Sequence, residues 1–227
     1  MAVTLDHETA HWDAGMRLVA GIDEVGRGAL AGPVTVGVAV LERCSTWPAG
    51  LADSKELSRT ARETLDAVLG HFGVGRAVGH ASPGEIDAHG IVAALRLAGH
   101  RALATLEADG VVPDAILLDG THDWLTPPAV DLFAASAPVI EGAGSLAPVT
   151  MVTKGDSLCA SIAAASIIAK VERDQIMRDA HHAHPEYGWD GNKGYGAARH
   201  LDALRGLGPS PLHRVSWKLP ERAATAS

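Results

Sequence analysis

Apolar positions along the chain fall into short β-branched runs and longer stretches of helical period. The runs at 17–22 and 33–41 are the first two strands predicted, the second rich in valine, with a glycine-containing loop between them. Residues 58–69 have a helical pattern opened by Ser58, a good N-cap. A third strand is predicted over 73–80. Ser82-Pro83-Gly84-Glu85 then gives a helix start of cap, proline and capping-box glutamate, leading into a helix to about residue 109. Glycines at 90 and 99 predict a break or a close packing contact within it. Short apolar strands follow at 115–118 and 148–152, separated by a Pro/Gly/Ala-rich stretch at 121–147 without period. A long helix is predicted over 157–182 and a shorter one over 197–205. Small residues from Ala160 to Ala169 predict that the long helix packs closely on a sheet. Strand runs followed by helices indicate an α/β fold, a mixed sheet covered by helices on both faces.

The chemistry lies where the strands end. Ile22-Asp23-Glu24, Leu118-Asp119 and Lys154-Gly155-Asp156 each place acid at or just after an apolar strand. In open α/β sheets, ligands gather beyond strand ends. Strand residues alternate sides, so Asp23 and Glu24 serve one site only if the strand ends or bends there. Four carboxylates brought together need cations to offset their repulsion. Oxygen donors without histidine or cysteine select Mg²⁺ or Mn²⁺ over Zn²⁺. Two such ions roughly 4 Å apart can activate a water and stabilise the leaving oxygen of a phosphodiester. Taken singly, Asp119 is more simply a solvated strand end, and Asp156 could cap the helix predicted from 157, whereas the adjacent pair Asp23-Glu24 before Gly26-Arg27-Gly28 favours the functional reading. The joint pattern carries the argument.

Gly26-Arg27-Gly28 can bend sharply, bring backbone amides against a ligand and place an arginine fork on a phosphate. It lacks the lysine-serine/threonine ending of a P-loop. Asp53-Ser54-Lys55 offers a lysine for phosphate contact. Asn192-Lys193-Gly194-Tyr195-Gly196 combines a base, an aromatic ring and flexible backbone, a mixture suited to sugar stacking. The histidines at 181, 182 and 184 lack zinc-site spacing.

Composition narrows the class. A net charge of −8 argues against sequence-blind adhesion to nucleic acid, and lowers the prior of a pure binding module more than that of an enzyme. No apolar run reaches the eighteen or so residues of a membrane span, and the N-terminus has no secretory pattern. Two cysteines, Cys44 and Cys159, read as reduced thiols. These features predict a cytoplasmic protein, and the expected state is a monomer. The expected organisation is a polar leader at 1–16, one catalytic unit at 17–222 that includes a C-terminal helical segment from about 185, and a disordered tail at 223–227.

The quoted stretches, with Gly32-Pro33, Ala163-Ala164-Ala165-Ser166-Ile167-Ile168-Ala169-Lys170-Val171, Arg173-Asp174 and Lys193-Gly194-Tyr195-Gly196, closely resemble bacterial ribonuclease HII, in family order from residue 18 to about 218. The resemblance implies a ribonuclease H-like fold: a five-stranded mixed sheet flanked by helices. It implies endonucleolytic hydrolysis of the RNA strand of RNA–DNA hybrids and incision 5′ of single ribonucleotides in duplex DNA, leaving 5′-phosphate and 3′-hydroxyl ends, in RNA primer removal and DNA repair. Asp23, Glu24, Asp119 and Asp156 would be the metal-binding catalytic acids. Gly26, Arg27 and Gly28 would read the 2′-hydroxyl, which distinguishes RNA from DNA, and Tyr195 would stack on the following sugar. Ser54, Lys55, Lys154 and Lys193 would complete the substrate contacts. The chain departs from the pattern at Asn192, where histidine is common, and at Ala197, where threonine is common. The sister type HIII usually carries an extra N-terminal domain and a lysine in place of the loop arginine, so the short leader and Arg27 favour HII.

Overall fold

In a computed structural model of the chain, described over residues 3–52, 54–128 and 146–222, five strands form one mixed sheet in the order β3-β2-β1-β4-β5. The strands are β1 (Val19–Val25), β2 (Val34–Leu41), β3 (Gly75–Ala81), β4 (Ala115–Asp119) and β5 (Val149–Val152). β1 pairs antiparallel with β2, and β2 with β3, whereas β1–β4 and β4–β5 are parallel. The helices are α1 (Asp6–Asp13), α2 (Arg59–Leu69), α3 (Pro83–His89), α4 (Ile91–Ala108), α5 (Ala160–Ala183), α6 (Trp189–Asn192) and α7 (Ala198–Leu207).

Alternation along the strands divides the core in two. Val19, Ala39, Leu41 and Leu117 face α5, α2 and α1, while Ala20, Ile22, Val36, Val38, Ile116 and Leu118 face α3 and α4. α5 lies very close to the sheet. A Cβ on Gly21 would fall 2.2 Å from the Ser161 carbonyl carbon, and one on Gly37 would fall 2.2 Å from the Ala165 carbonyl oxygen. The alanines of this helix are small because its backbone rides on strand glycines. A third cluster, Ala31, Met177, Tyr187, Trp189 and Leu204, fastens the C-terminal segment to the far end of α5.

The leader is packed, not loose. Glu8 of α1 is fully buried and accepts hydrogen bonds from the Ser161 amide (2.8 Å) and hydroxyl (2.7 Å), thereby capping α5. Gly90, at φ 79°, separates α3 from α4, while Gly99 packs against Leu125 and Trp124. The long helix starts three residues later than its sequence suggests, because Gly155–Ser157 forms a separate 3₁₀ turn. Most of the 121–147 stretch, the 223–227 tail and Asp53 lie outside the described residues.

Candidate metal centre

β1 keeps its ladder with β2 to Val25↔Thr35, but its ladder with β4 stops at Ile22↔Leu118. Asp23 is therefore the first residue of β1 beyond the parting of two parallel neighbours. Asp119 ends β4 beside it, and Asp156 sits on the 3₁₀ turn after β5. Carboxylate oxygens of Asp23, Asp119 and Asp156 all lie within 4.8 Å of one another. Gly155 brings the turn in: its amide donates to Asp119 Oδ1 at 2.7 Å, and a Cβ on it would strike Ile162 at 2.4 Å.

The acids crowd each other electrostatically. Burial pushes the Asp23 carboxyl well above the usual carboxylate range, and the charge of Asp119 adds to the rise. Asp119 is raised as well, by burial and then by Asp156. Lys55 Nζ reaches Asp156 Oδ2 at 3.0 Å. A hard divalent cation fits this arrangement, because the donors are all carboxylate oxygens carrying more negative charge than their surroundings balance.

Glu24 stands apart from the three. Glu24 follows Asp23 on β1, one residue before the strand ends at Val25, and is not one of the three acids whose oxygens lie within 4.8 Å of one another. It forms an ion pair with Arg27 at 3.3 Å. Burial raises its carboxyl, Arg27 opposes the rise, and the charge of Asp119 adds to it.

Ser54 is only 3% exposed, and its hydroxyl meets that of Ser166 at 2.8 Å. Ser166 also hydrogen-bonds Asp23, so Ser54 supports an acid from beneath. Lys154 is exposed and holds a left-handed backbone conformation at φ 59°. Lys193 is left-handed too, with its ammonium on the Asp190 carbonyl.

The loop after β1 has two different glycines. Gly26 (φ 83°) leaves no room for a side chain, since a Cβ would lie 2.0 Å from Arg173 Nε. Gly28 has nothing within 4 Å of an added Cβ. The fold itself places no demand for glycine there, and the space stays open beside exposed Arg27.

Opposite stands Tyr195, 39% exposed, with the Arg173 guanidinium 5.6 Å from its ring centre. The two loops are joined: the Leu30 amide donates to the Gly194 carbonyl at 2.8 Å. Asn192 shapes the second loop by accepting from the Gly194 amide (2.8 Å) and donating to the Tyr187 carbonyl (2.7 Å). A buried histidine pair holds Tyr195 from behind. The Ser210 amide donates to His213 Nδ1, and His200 Nδ1 donates to the Tyr195 carbonyl, both at 2.9 Å. The remaining proton therefore sits on His213 Nε2 and points at His200 Nε2, 2.9 Å away. Both rings are neutral: burial lowers His200, and burial together with His200 lowers His213 to about 4. Ser166, Arg173, His200 and His213 have supporting roles that side-chain type and spacing do not announce.

The family model for ribonuclease HII matches residues 20–220. The chain belongs to the ribonuclease HII family. It is a metal-dependent ribonuclease H hydrolase, an endonuclease acting on RNA–DNA hybrids. Ribonuclease HII of Streptomyces coelicolor is 45% identical over 203 residues, covering 89% of this chain and 78% of that protein. Ribonuclease HII of Cereibacter sphaeroides is 46% identical over 212 residues, covering 93% and 89%. Among solved structures, RNase HII in the PCNA complex from Archaeoglobus fulgidus superposes with a TM-score of 0.63 at 25% identity, covering 91% of this chain and 98% of that one. No helix among the described residues is long and apolar enough to cross a membrane.

Proposed function

We propose that this member of the family incises duplex DNA 5′ of a single embedded ribonucleotide, as well as cutting the RNA strand of hybrids, using Mg²⁺ or Mn²⁺ at Asp23, Asp119 and Asp156, with Glu24 at the rim. The observation that carries the reading is the open space at Gly28. A glycine that the fold does not need lies beside exposed Arg27, in the loop that leads directly from Asp23.

Divalent ions bound there supply Lewis-acid activation of the attacking water and charge neutralisation at the leaving oxygen, leaving 5′-phosphate and 3′-hydroxyl ends. The protein's own groups do the positioning. The buried floor of Ser54 and Ser166 holds Asp23, and the Gly155 amide orients Asp119. Lys55, Lys154 and Lys193 meet the phosphate backbone. Arg27 and Gly28 read the 2′-hydroxyl, and Tyr195 receives the following sugar. This work belongs to RNA primer removal and ribonucleotide repair in the cytoplasm, performed by a monomer.

The test offers a duplex with one ribonucleotide beside an all-DNA duplex, with Mg²⁺, Mn²⁺ or EDTA. Metal-dependent cutting on the 5′ side of the ribonucleotide is the expected result. An uncut ribonucleotide duplex withdraws the proposal.

A further inference from the structure

Behind the loop that carries Arg27 and Gly28 lies a second arginine, Arg214, with no exposed surface. Its four hydrogen bonds all go to backbone carbonyls of that loop. Nη2 donates to Gly26 (2.7 Å) and Gly32 (3.1 Å), Nη1 to Arg27 (2.9 Å) and Nε to Gly32 (3.2 Å). Its own segment is fixed to the same loop, because the Arg214 amide donates to Leu30 and the Gly32 amide donates to Leu212. The ring of Trp217 covers the guanidinium at 4.9 Å. Arg173 anchors the far half of the loop in the same way, through the carbonyls of Pro33 (2.8 Å) and Ala31 (3.2 Å).

The carbonyl pattern has a geometric consequence. In a trans peptide the C=O and the following N–H point in opposite directions. With the Gly26 and Arg27 carbonyls turned inward onto Arg214, the amides of Arg27 and Gly28 face outward. Neither amide donates a hydrogen bond among the described residues, and both residues are exposed. Two adjacent outward amides over a buried cation make a donor pair for an oxygen atom. The guanidinium has given up its hydration for carbonyl dipoles and the face of the Trp217 ring, and burial with the nearby Arg173 charge lowers it to about 10, still charged at neutral pH. A buried charge in such a place costs stability.

We propose that Arg214 is a positioning residue for ribose recognition: by holding the Gly26 and Arg27 carbonyls it aims the Arg27 and Gly28 amides at the ribose 2′-oxygen and sets the scissile phosphate over the acids. The inference rests on the ribonucleotide-incising function proposed above. Arg214 touches neither substrate nor metal, so its removal acts on the placement of the sugar. A misplacement of about 1 Å at a reacting centre costs on the order of a hundredfold in rate.

The test measures single-ribonucleotide incision by the full chain in Mn²⁺ for wild type and Arg214→Ala, together with Mn²⁺ affinity by calorimetry. The expected outcome is a fall in kcat of about a hundredfold with KM changed less than threefold, Mn²⁺ affinity unchanged, and partial recovery in millimolar guanidinium. A kcat within threefold of wild type, a parallel loss of Mn²⁺ affinity, or a loss that guanidinium leaves untouched overturns the inference. Should Arg214→Ala fail to fold, Arg214→Lys decides, since it keeps the charge without the fork that spans three carbonyls. Lowered kcat at unchanged Mn²⁺ affinity supports the role, and a wild-type kcat refutes it. Failure of the underlying function is seen separately, as a wild-type chain that leaves the ribonucleotide uncut.

Discussion

Gly26 and Arg173 contend for the same space: a Cβ on Gly26 would sit 2.0 Å from Arg173 Nε. The φ of 83° adds backbone strain to that overlap. Gly26→Ala is therefore expected to cost about 2–3 kcal/mol in urea denaturation, as overpacking at a left-handed position does. Gly28→Ala is the contrasting case. It should change stability by less than about 0.5 kcal/mol while lowering ribonucleotide incision at least tenfold, because the new methyl occupies the space proposed for the sugar. Equal stability losses for the two variants, or full activity in Gly28→Ala, would count against the assignment.

The crowded acids predict how stability responds to pH and metal. Asp23 and Asp119 titrate above their unfolded values. Such groups favour the folded state while protonated, and that contribution is lost as pH rises through the folded values. At neutral pH without divalent ions the cluster is thus a strain on the fold. Asp119→Asn should melt higher than wild type in EDTA, by a margin that grows from acid to neutral pH, and Mn²⁺ should narrow the gap by stabilising wild type. A margin independent of pH would remove the repulsion argument. Thermal melts at a series of pH values decide it.

The His200–His213 pair gives the opposite slope. His213, held at about 4 against an ordinary value near 6.5, favours folding above pH 6.5, and the benefit is lost as pH falls towards 4. The full shift corresponds to about 3 kcal/mol. His213→Asn should be less stable at pH 7.5 but show a flatter decline between pH 6.5 and 4 by urea denaturation. A decline as steep as in wild type would assign acid unfolding to other groups.

Ala197 is the N-cap of α7 and offers no side-chain acceptor to the helix. Its backbone, at φ −72° and ψ 156°, already has cap geometry. Ala197→Thr or Ala197→Ser should add about 0.5–2 kcal/mol of stability, measured as a higher urea midpoint at unchanged slope. A neutral or negative change would mean that the free amides of α7 are already satisfied in solution.

Much of this molecule is written in its sequence because the signals are local. The β-branched runs, Ser58, and the Ser82–Glu85 capping box each act within a few residues, and the box forms as its pattern requires. Asp23 and Asp119 are legible as polar ends of apolar strands. What depends on tertiary contact is not. α1 has little amphipathic pattern and is held by buried Glu8 and Trp12 against the core. That Asp23, Asp119 and Asp156 form the close trio, with Glu24 next to it, is a matter of tertiary placement that residue type and spacing do not give. Arg173, Arg214 and the histidine pair support the two loops through backbone carbonyls, a kind of contact that leaves no spacing rule in the chain.

The central claim is that Asp23, Asp119 and Asp156 form the metal centre that drives incision at a ribonucleotide. The most direct measurement is single-turnover cleavage of a duplex with one embedded ribonucleotide by Asp119→Asn in Mn²⁺, set beside wild type. The account predicts a rate lowered on the order of a thousandfold or more, as befits loss of a group acting on the reacting centre, in a protein that folds and melts at least as high as wild type without metal. Cleavage at the wild-type rate by folded Asp119→Asn would contradict it.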